Sequence, residues 1–170
     1  QMFLKAIVTR CGQLFQITDV ARDIGVSVNT AKAWLAILEA TYQIIVLRPY
    51  FANINKRLVK TPKVYFIDTG LLCYLVGIND KDHLILGPMS GQIFENFVFI
   101  EIYKRILSLG INPEIYFWRT SSGQEVDFLV RTQKGLVPIE VKSTSTPKPI
   151  MTDGILSLMN FNLTLKCRGS

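Results

Sequence analysis

Gly123-Gln124-Glu125-Val126-Asp127-Phe128-Leu129-Val130, followed after one turn by Pro138-Ile139-Glu140-Val141-Lys142, reads as a β-hairpin that carries carboxylates and a lysine. Successive side chains of a strand point to opposite faces. Glu125 and Asp127 therefore share one face, as do Glu140 and Lys142, while Val126, Phe128, Ile139 and Val141 fill the other. Thr132-Gln133-Lys134-Gly135 supplies the reversal, and Gly135 can take the positive φ of a type I turn with a following bulge. Folding back about Gln133 and Lys134 sets Asp127 opposite Glu140 or within one residue of it.

Two carboxylates on adjacent strands repel unless a positive charge sits between them. Mg²⁺, with Mn²⁺ as a substitute, prefers hard oxygen ligands and takes one or two protein carboxylates together with waters and phosphate oxygens. Lys142, one pleat beyond Glu140, is then placed to touch an attacking water or a phosphate oxygen, as metal-assisted phosphodiester hydrolysis requires. The same residues also describe an exposed hairpin face with an ordinary Glu–Lys pairing, worth about 0.2–1 kcal/mol.

Upstream, the segment from Gly91 to Leu107 has apolar residues at helical spacing. Ile93, Phe97, Ile100 and Leu107 make one stripe, widened by Phe94, Val98 and Ile102, as in a helix packed into a core. Glu95 falls in that apolar neighbourhood and needs either water or a cationic partner, because an unpaired buried carboxylate is costly. Glu114 to Arg119 reads as a strand and Thr120-Ser121-Ser122-Gly123 as a turn into the hairpin. The order is helix, strand, strand, strand.

Glu95 on a helix, Asp127 on the second strand and Glu140-Val141-Lys142 on the third resemble the PD-(D/E)xK phosphodiesterase superfamily, whose core runs αβββαβ. More narrowly, Phe66-Ile67-Asp68-Thr69-Gly70-Leu71-Leu72, Gly91-Gln92-Ile93-Phe94-Glu95-Asn96, Trp118-Arg119, Glu125-Val126-Asp127-Phe128 and Ile139-Glu140-Val141-Lys142 look like the C-terminal domain of prokaryotic AAA+-type ATPases. That resemblance implies an acidic, metal-holding set of Glu95, Asp127 and Glu140, with Lys142 as the catalytic or electrostatic lysine. It implies an α/β (α+β) chain with a restriction-endonuclease-like core, an upstream ATPase domain as partner and DNA as substrate or ligand. Val126 stands where the superfamily has a proline before its acidic residue.

The N-terminal third reads as a winged helix-turn-helix. Ile17 to Gly25 is a short helix with Thr18 as cap and Gly25 as stop; Ser27 or Asn29 then starts a second helix through Leu38. Ala21 suits a helix crossing, with Ala31 and Trp34 on the inner face. Ile44–Tyr50 and Lys63–Ile67 form the wing hairpin, with its tip at 51–60. The second helix exposes Asn29, Thr30, Lys32 and Ala33 but no arginine, a thin set for base recognition. Lys32 and the wing's Lys56, Arg57 and Lys60 suit phosphate contact. A linker role for this module stands beside DNA binding, because fold does not dictate function.

Asp68 reads as the cap of a helix through Leu75 that ends near Gly77, and Asn79 to Pro88 as a polar connection holding the lone His83. The expected division is 1–78 for the helix-turn-helix with its connecting helix and 89–170 for the nuclease-like domain. At the far end, Met151 to Phe161 suggests a short helix interrupted by Gly154, and Leu163 to Cys167 a last strand.

Composition narrows the class. A net charge of +6 is compatible with nucleic acid or an anionic surface. Hydrophobic residues make up 49% and mean hydropathy is +0.28, an excess that fits a covered partner surface or a homo-oligomer. No apolar run is long enough to span a bilayer. Cys11, Cys73 and Cys167 are odd in number and widely spaced, which fits a reduced, cytoplasmic protein and not a disulfide framework or zinc site. The P-loop pattern of an ATP-hydrolysing site does not occur, so an ATPase would lie upstream. A Mg²⁺-dependent nuclease, a non-catalytic nucleic-acid-binding or regulatory module, and a protein-interaction scaffold are the functions these features allow.

Overall fold

The computed structural model describes residues 2–50, 59–144, 146 and 149–168, with the side chains among them except those of 149, 150 and 161–168. These residues form a mixed α/β fold of seven α-helices and two small antiparallel sheets.

Three helices lead: α1 (Met2–Val8), α2 (Ile17–Ile24) and α3 (Val28–Ala40). Gly25 ends α2 in the left-handed conformation at φ 72°, where a residue without Cβ is unstrained. Thr18 is not the cap of α2. The capping position is Gln16, two residues before Thr18, and it makes no side-chain bond. Ser27 caps α3, its side chain accepting the Thr30 N–H at 3.1 Å. Ala21 and Ala31 are buried as expected, but Trp34 is 40% exposed and meets the Phe3 ring edge-on at 5.3 Å.

Strands β1 (Ile44–Leu47) and β2 (Lys63–Phe66) pair antiparallel, with Ile44 opposite Phe66 and Leu47 opposite Lys63. Residues 51–58 of the expected wing tip, Lys56 and Arg57 among them, lie outside the described residues. Asp68 caps α4 (Thr69–Leu75), accepting the Leu71 N–H at 2.9 Å. The stretch expected to be an aperiodic connection contains α5 (Lys81–Leu86), capped by Asp80, with His83 exposed on it. A strong cap and the apolar trio Leu84, Ile85 and Leu86 make a helix of six residues that periodicity alone is too short to reveal.

Next comes α6 (Ser90–Ser108), then β3 (Ile115–Arg119), β4 (Glu125–Thr132) and β5 (Gly135–Ile139) in the order β3-β4-β5. The buried line of α6 is Ile93, Asn96, Phe99 and Ile100. Phe97, Phe94 and Leu107, expected in the core, are 49%, 40% and 46% exposed. The helix is apolar almost all round, so its pattern does not define one inner face. A polar residue, Asn96, marks that face instead. A 3₁₀ turn at Pro149–Thr152 leads into α7 (Asp153–Arg168). The helix passes through Gly154 without interruption and occupies the residues expected as a final strand, so the described core runs αβββα.

The register of β3 on β4 slips: Tyr116 pairs with Leu129, but Trp118 pairs with Val126. One extra β4 residue is accommodated at Asp127 and Phe128, a β-bulge. Strict alternation therefore fails here. Val126 and Phe128, expected on one face, lie in different apolar clusters. Phe128 stacks on Phe99 at 5.3 Å, whereas Val126 joins Trp118, Leu129 and Leu158 of α7. The first cluster runs from Phe3 and Val20 through Val64 and Phe66 to Phe117 and Val130, so it crosses the Asn79–Pro88 segment without a break. Backbone bonds also join the halves: Tyr50 N–H donates to Phe117 C=O at 2.7 Å and Phe117 N–H to Arg48 C=O at 3.3 Å.

Candidate active site

The hairpin register carries Asp127 and Glu140 to neighbouring positions. Its last ladder pair before them is Phe128 with Ile139. Asp127 is 8% exposed, and its Oδ2 accepts the Val141 N–H at 2.8 Å, which ties the chain leaving β5 to the bulged part of β4. Lys142 Nζ lies 2.6 Å from Glu140 Oε1 and 3.9 Å from Asp127 Oδ2. Glu140 Oε2 is buried with no hydrogen-bond partner among the described residues. Burial pushes the Glu140 carboxyl upward, with the hydrogen bond from Lys142 opposing that shift and the charge of Asp127 adding to it.

Glu95 has the cationic partner that its apolar setting demands. Tyr65 donates its hydroxyl to Glu95 Oε1 at 2.5 Å, and Lys63 Nζ donates to the same oxygen at 3.2 Å. Lys63 Nζ is also 2.6 Å from Glu125 Oε1, and Arg119 Nη1 is 2.8 Å from Glu125 Oε2. Burial raises the Glu95 carboxyl, and Lys63 and Tyr65 only partly offset that. For Lys63, burial acts to lower its affinity for a proton, but Glu95 and Glu125 outweigh it and the net shift is upward. The Lys63 side chain is 3% exposed, and its ammonium lies 5.5 Å from the centre of the Phe117 ring.

Lys63, Glu95, Arg119, Glu125 and Asp127 border a cavity of about 580 Å³ whose wall also includes Gly12 and Gln92. The N-terminal half contributes Gly12 and Lys63. Gly12 holds φ 71°, so the turn beside the Glu95 carboxylate is one that a side-chain-bearing residue would strain.

Asn96, next to Glu95 on α6, fastens the two halves. Its Oδ1 accepts the Phe66 N–H at 2.8 Å and the Cys11 thiol at 3.2 Å. Its Nδ2 donates to the Phe66 carbonyl at 3.0 Å and to the Thr69 hydroxyl at 3.1 Å. The amide thus pairs with β2 as another strand would.

Of the residues expected to act together, Asp127, Glu140 and Lys142 are adjacent, whereas Glu95 is engaged by Lys63 and Tyr65. Among the described residues no three His, Cys, Asp or Glu side chains group as a metal-ligand set. The Asp127–Glu140 pair does suit a hard cation: both donors are carboxylates, and one buried oxygen has no other partner. Lys32 and Lys60 are exposed. Lys63, expected as the first residue of a wing strand, is the most buried cation of the site, and Tyr65, Arg119 and Asn96 were not expected as site residues. The one local signal was a lysine opening the fully buried strand Lys-Val-Tyr-Phe, since a lysine is rarely buried without a partner.

Residues 1–82 match a domain of unknown function (DUF8612), and residues 90–166 match a second domain of unknown function (DUF4143), one found in AAA-ATPase-associated proteins. The chain is 39% identical over 136 residues to an uncharacterized protein of Mycobacterium tuberculosis and, equally, to one of Mycobacterium bovis. The match covers 80% of this chain and 30% of each relative, so the chain spans under a third of their length. No solved structure matches the chain. Among the described residues no helix is long and apolar enough to cross a membrane.

Proposed function

We propose that this chain is the C-terminal part of a cytoplasmic AAA+-type ATPase, in which a winged helix-turn-helix precedes a PD-(D/E)xK-like domain that hydrolyses phosphodiester bonds in DNA with Mg²⁺. The observation that carries the reading is the juxtaposition of Asp127, Glu140 and Lys142, with an unpartnered Glu140 oxygen. The αβββα order and the helix–turn–helix–hairpin sequence of the N-terminal third support it further.

In this reading Asp127 and Glu140 hold the cation. Bound there, Mg²⁺ would supply a water of lowered pKa and polarise the scissile phosphate. Lys142, 40% exposed in its side chain, meets the phosphate or orients the water and offsets charge that develops on the phosphoryl oxygens. The bond from Val141 N–H to Asp127 keeps the two acids in register. Exposed Lys32 and Lys60, together with the basic Lys56 and Arg57 of the sequence between them, contact the DNA backbone.

The test is cleavage of single- and double-stranded DNA and RNA with Mg²⁺ or Mn²⁺, by wild type and by Asp127→Asn. The expected result is DNA cleavage that the substitution abolishes while DNA affinity is retained. Wild-type protein that neither cleaves any of these nor binds Mn²⁺ would overturn the proposal. A second reading, a nucleic-acid-binding or regulatory module without turnover, is favoured by the way buried Lys63 already neutralises Glu95 and Glu125. It predicts salt-dependent DNA binding with no cleavage, and binding indifferent to salt would count against it.

A further inference from the structure

We infer that Lys63 serves as a built-in cation of the site: it neutralises Glu95 and Glu125, so that the remaining acids, Asp127 and Glu140, hold one divalent ion and Glu95 holds none. This rests on the metal site proposed above.

Oε1 of Glu95 is an acceptor already served. Both of its recorded donors, the Lys63 ammonium and the Tyr65 hydroxyl, approach Oε1, and they are buried neighbours on one strand. A cation at that oxygen would have to displace both donors. Lys63 is held in place by more than its charge. Its backbone pairs with Leu47 and bridges to Leu14, which fixes where the ammonium projects.

Charge bookkeeping agrees. Lys63, Arg119 and Lys142 stand against Glu95, Glu125, Asp127 and Glu140, three cations against four carboxylates. One negative charge is uncompensated. A single divalent ion would reverse that to one positive charge, which matches a single phosphodiester. A second ion would leave a large positive excess in a partly buried site, where uncompensated charge is costly. Lys63 comes from the N-terminal half, so the chemistry of the second half depends on a residue that its own sequence lacks.

The experiment is Mn²⁺ titration of the full chain by calorimetry and by electron paramagnetic resonance. Wild type should bind one ion, and Asp127→Asn none. Glu95→Gln should keep the single ion within about twofold in affinity. Lys63→Met should admit a second ion, and adding Glu95→Gln to it should remove that ion. Two ions in wild type, a tenfold or greater loss on Glu95→Gln, or a single ion in folded Lys63→Met would each overturn the inference. If Lys63→Met does not fold, the wild-type stoichiometry and the Glu95→Gln affinity decide. If wild type binds no ion, the metal site itself fails. The neutralising role of Lys63 is then read from urea unfolding: it stands if the loss caused by Lys63→Met shrinks markedly in a Glu95→Gln background, and falls if the two losses add.

Discussion

Lys63 and Glu125 form a buried ion pair at 2.6 Å that joins the N-terminal hairpin to the three-stranded sheet. The same ammonium reaches Glu95 on α6, so three elements meet at one charge. Taking one partner from such a pair leaves the other charged in a place with little water. Lys63→Met should therefore cost about 3–5 kcal/mol, the range for breaking a buried pair. Lys63→Arg should recover part of that loss, since the charge is kept while the shape is not. Urea denaturation of both variants measures the difference.

Asn96 satisfies both backbone groups of Phe66, so its removal leaves two buried polar groups unpaired. Asn96→Ala should destabilise the protein by about 1–3 kcal/mol for each of them. Asn96→Asp keeps the acceptor but loses the donor to the Phe66 carbonyl, and adds a buried charge. Hydrogen exchange at the Phe66 amide should accelerate in the alanine variant and identifies the contact that was lost.

Gly154 lets the start of α7 lie against β4. A Cβ at that position would sit 1.8 Å from the Glu125 carbonyl oxygen, which no rotamer change can relieve. Gly154→Ala should push α7 off the sheet and open the cluster of Trp118, Val126, Leu129 and Leu158. In a Trp34→Phe background, where Trp118 is the remaining tryptophan, its emission should move to the red. Unchanged emission and stability would contradict the close approach.

Alkali should destabilise the fold. Burial pushes the Cys11 thiol from 9.0 up to about 12, and burial followed by the charge of Glu95 raises Tyr65 well above its usual value. Lys63 is raised because its carboxylates outweigh its burial. Each group holds its proton more tightly when folded, so its contribution is complete below the unfolded value and declines as pH climbs toward the folded one. Cys11 alone gives a slope of about 1.4 kcal/mol per pH unit once the unfolded thiol is ionised. Cys11→Ser, which retains a donor for Asn96, should flatten the stability profile above about pH 9, as followed by urea unfolding.

The hairpin was legible because its information is local. Two residues, Gln133 and Lys134, separate the pairing partners Thr132 and Gly135, and Gly135 has φ 121°. The caps at Ser27 and Asp68 were legible for the same reason, since each bonds an N–H three residues on. The bulge in β4 was not, because it depends on how β3 is registered against Trp118, and nothing within β4 announces it. Nor was the inner face of α6. With phenylalanine, isoleucine and valine on nearly every side, periodicity could not choose between Phe97 and Phe99, and the choice fell to the partners that Asn96 and Phe99 find on β2 and β4.

Alternation and turn chemistry in the stretch from Glu125 to Lys142 were enough to place Asp127 beside Glu140, because a strand repeats every two residues and the turn is short. They were not enough to identify the cation that serves Glu95. Lys63 lies 32 residues from Glu95 in the chain, and from sequence it read as the first residue of a wing strand. Packing of β2 against α6 and β4 removed it from water, and once desolvated it could remain charged only between carboxylates. Which of the many charges in a sequence becomes the partner of a buried acid is set by which of them loses its water, and that is a property of the assembled chain.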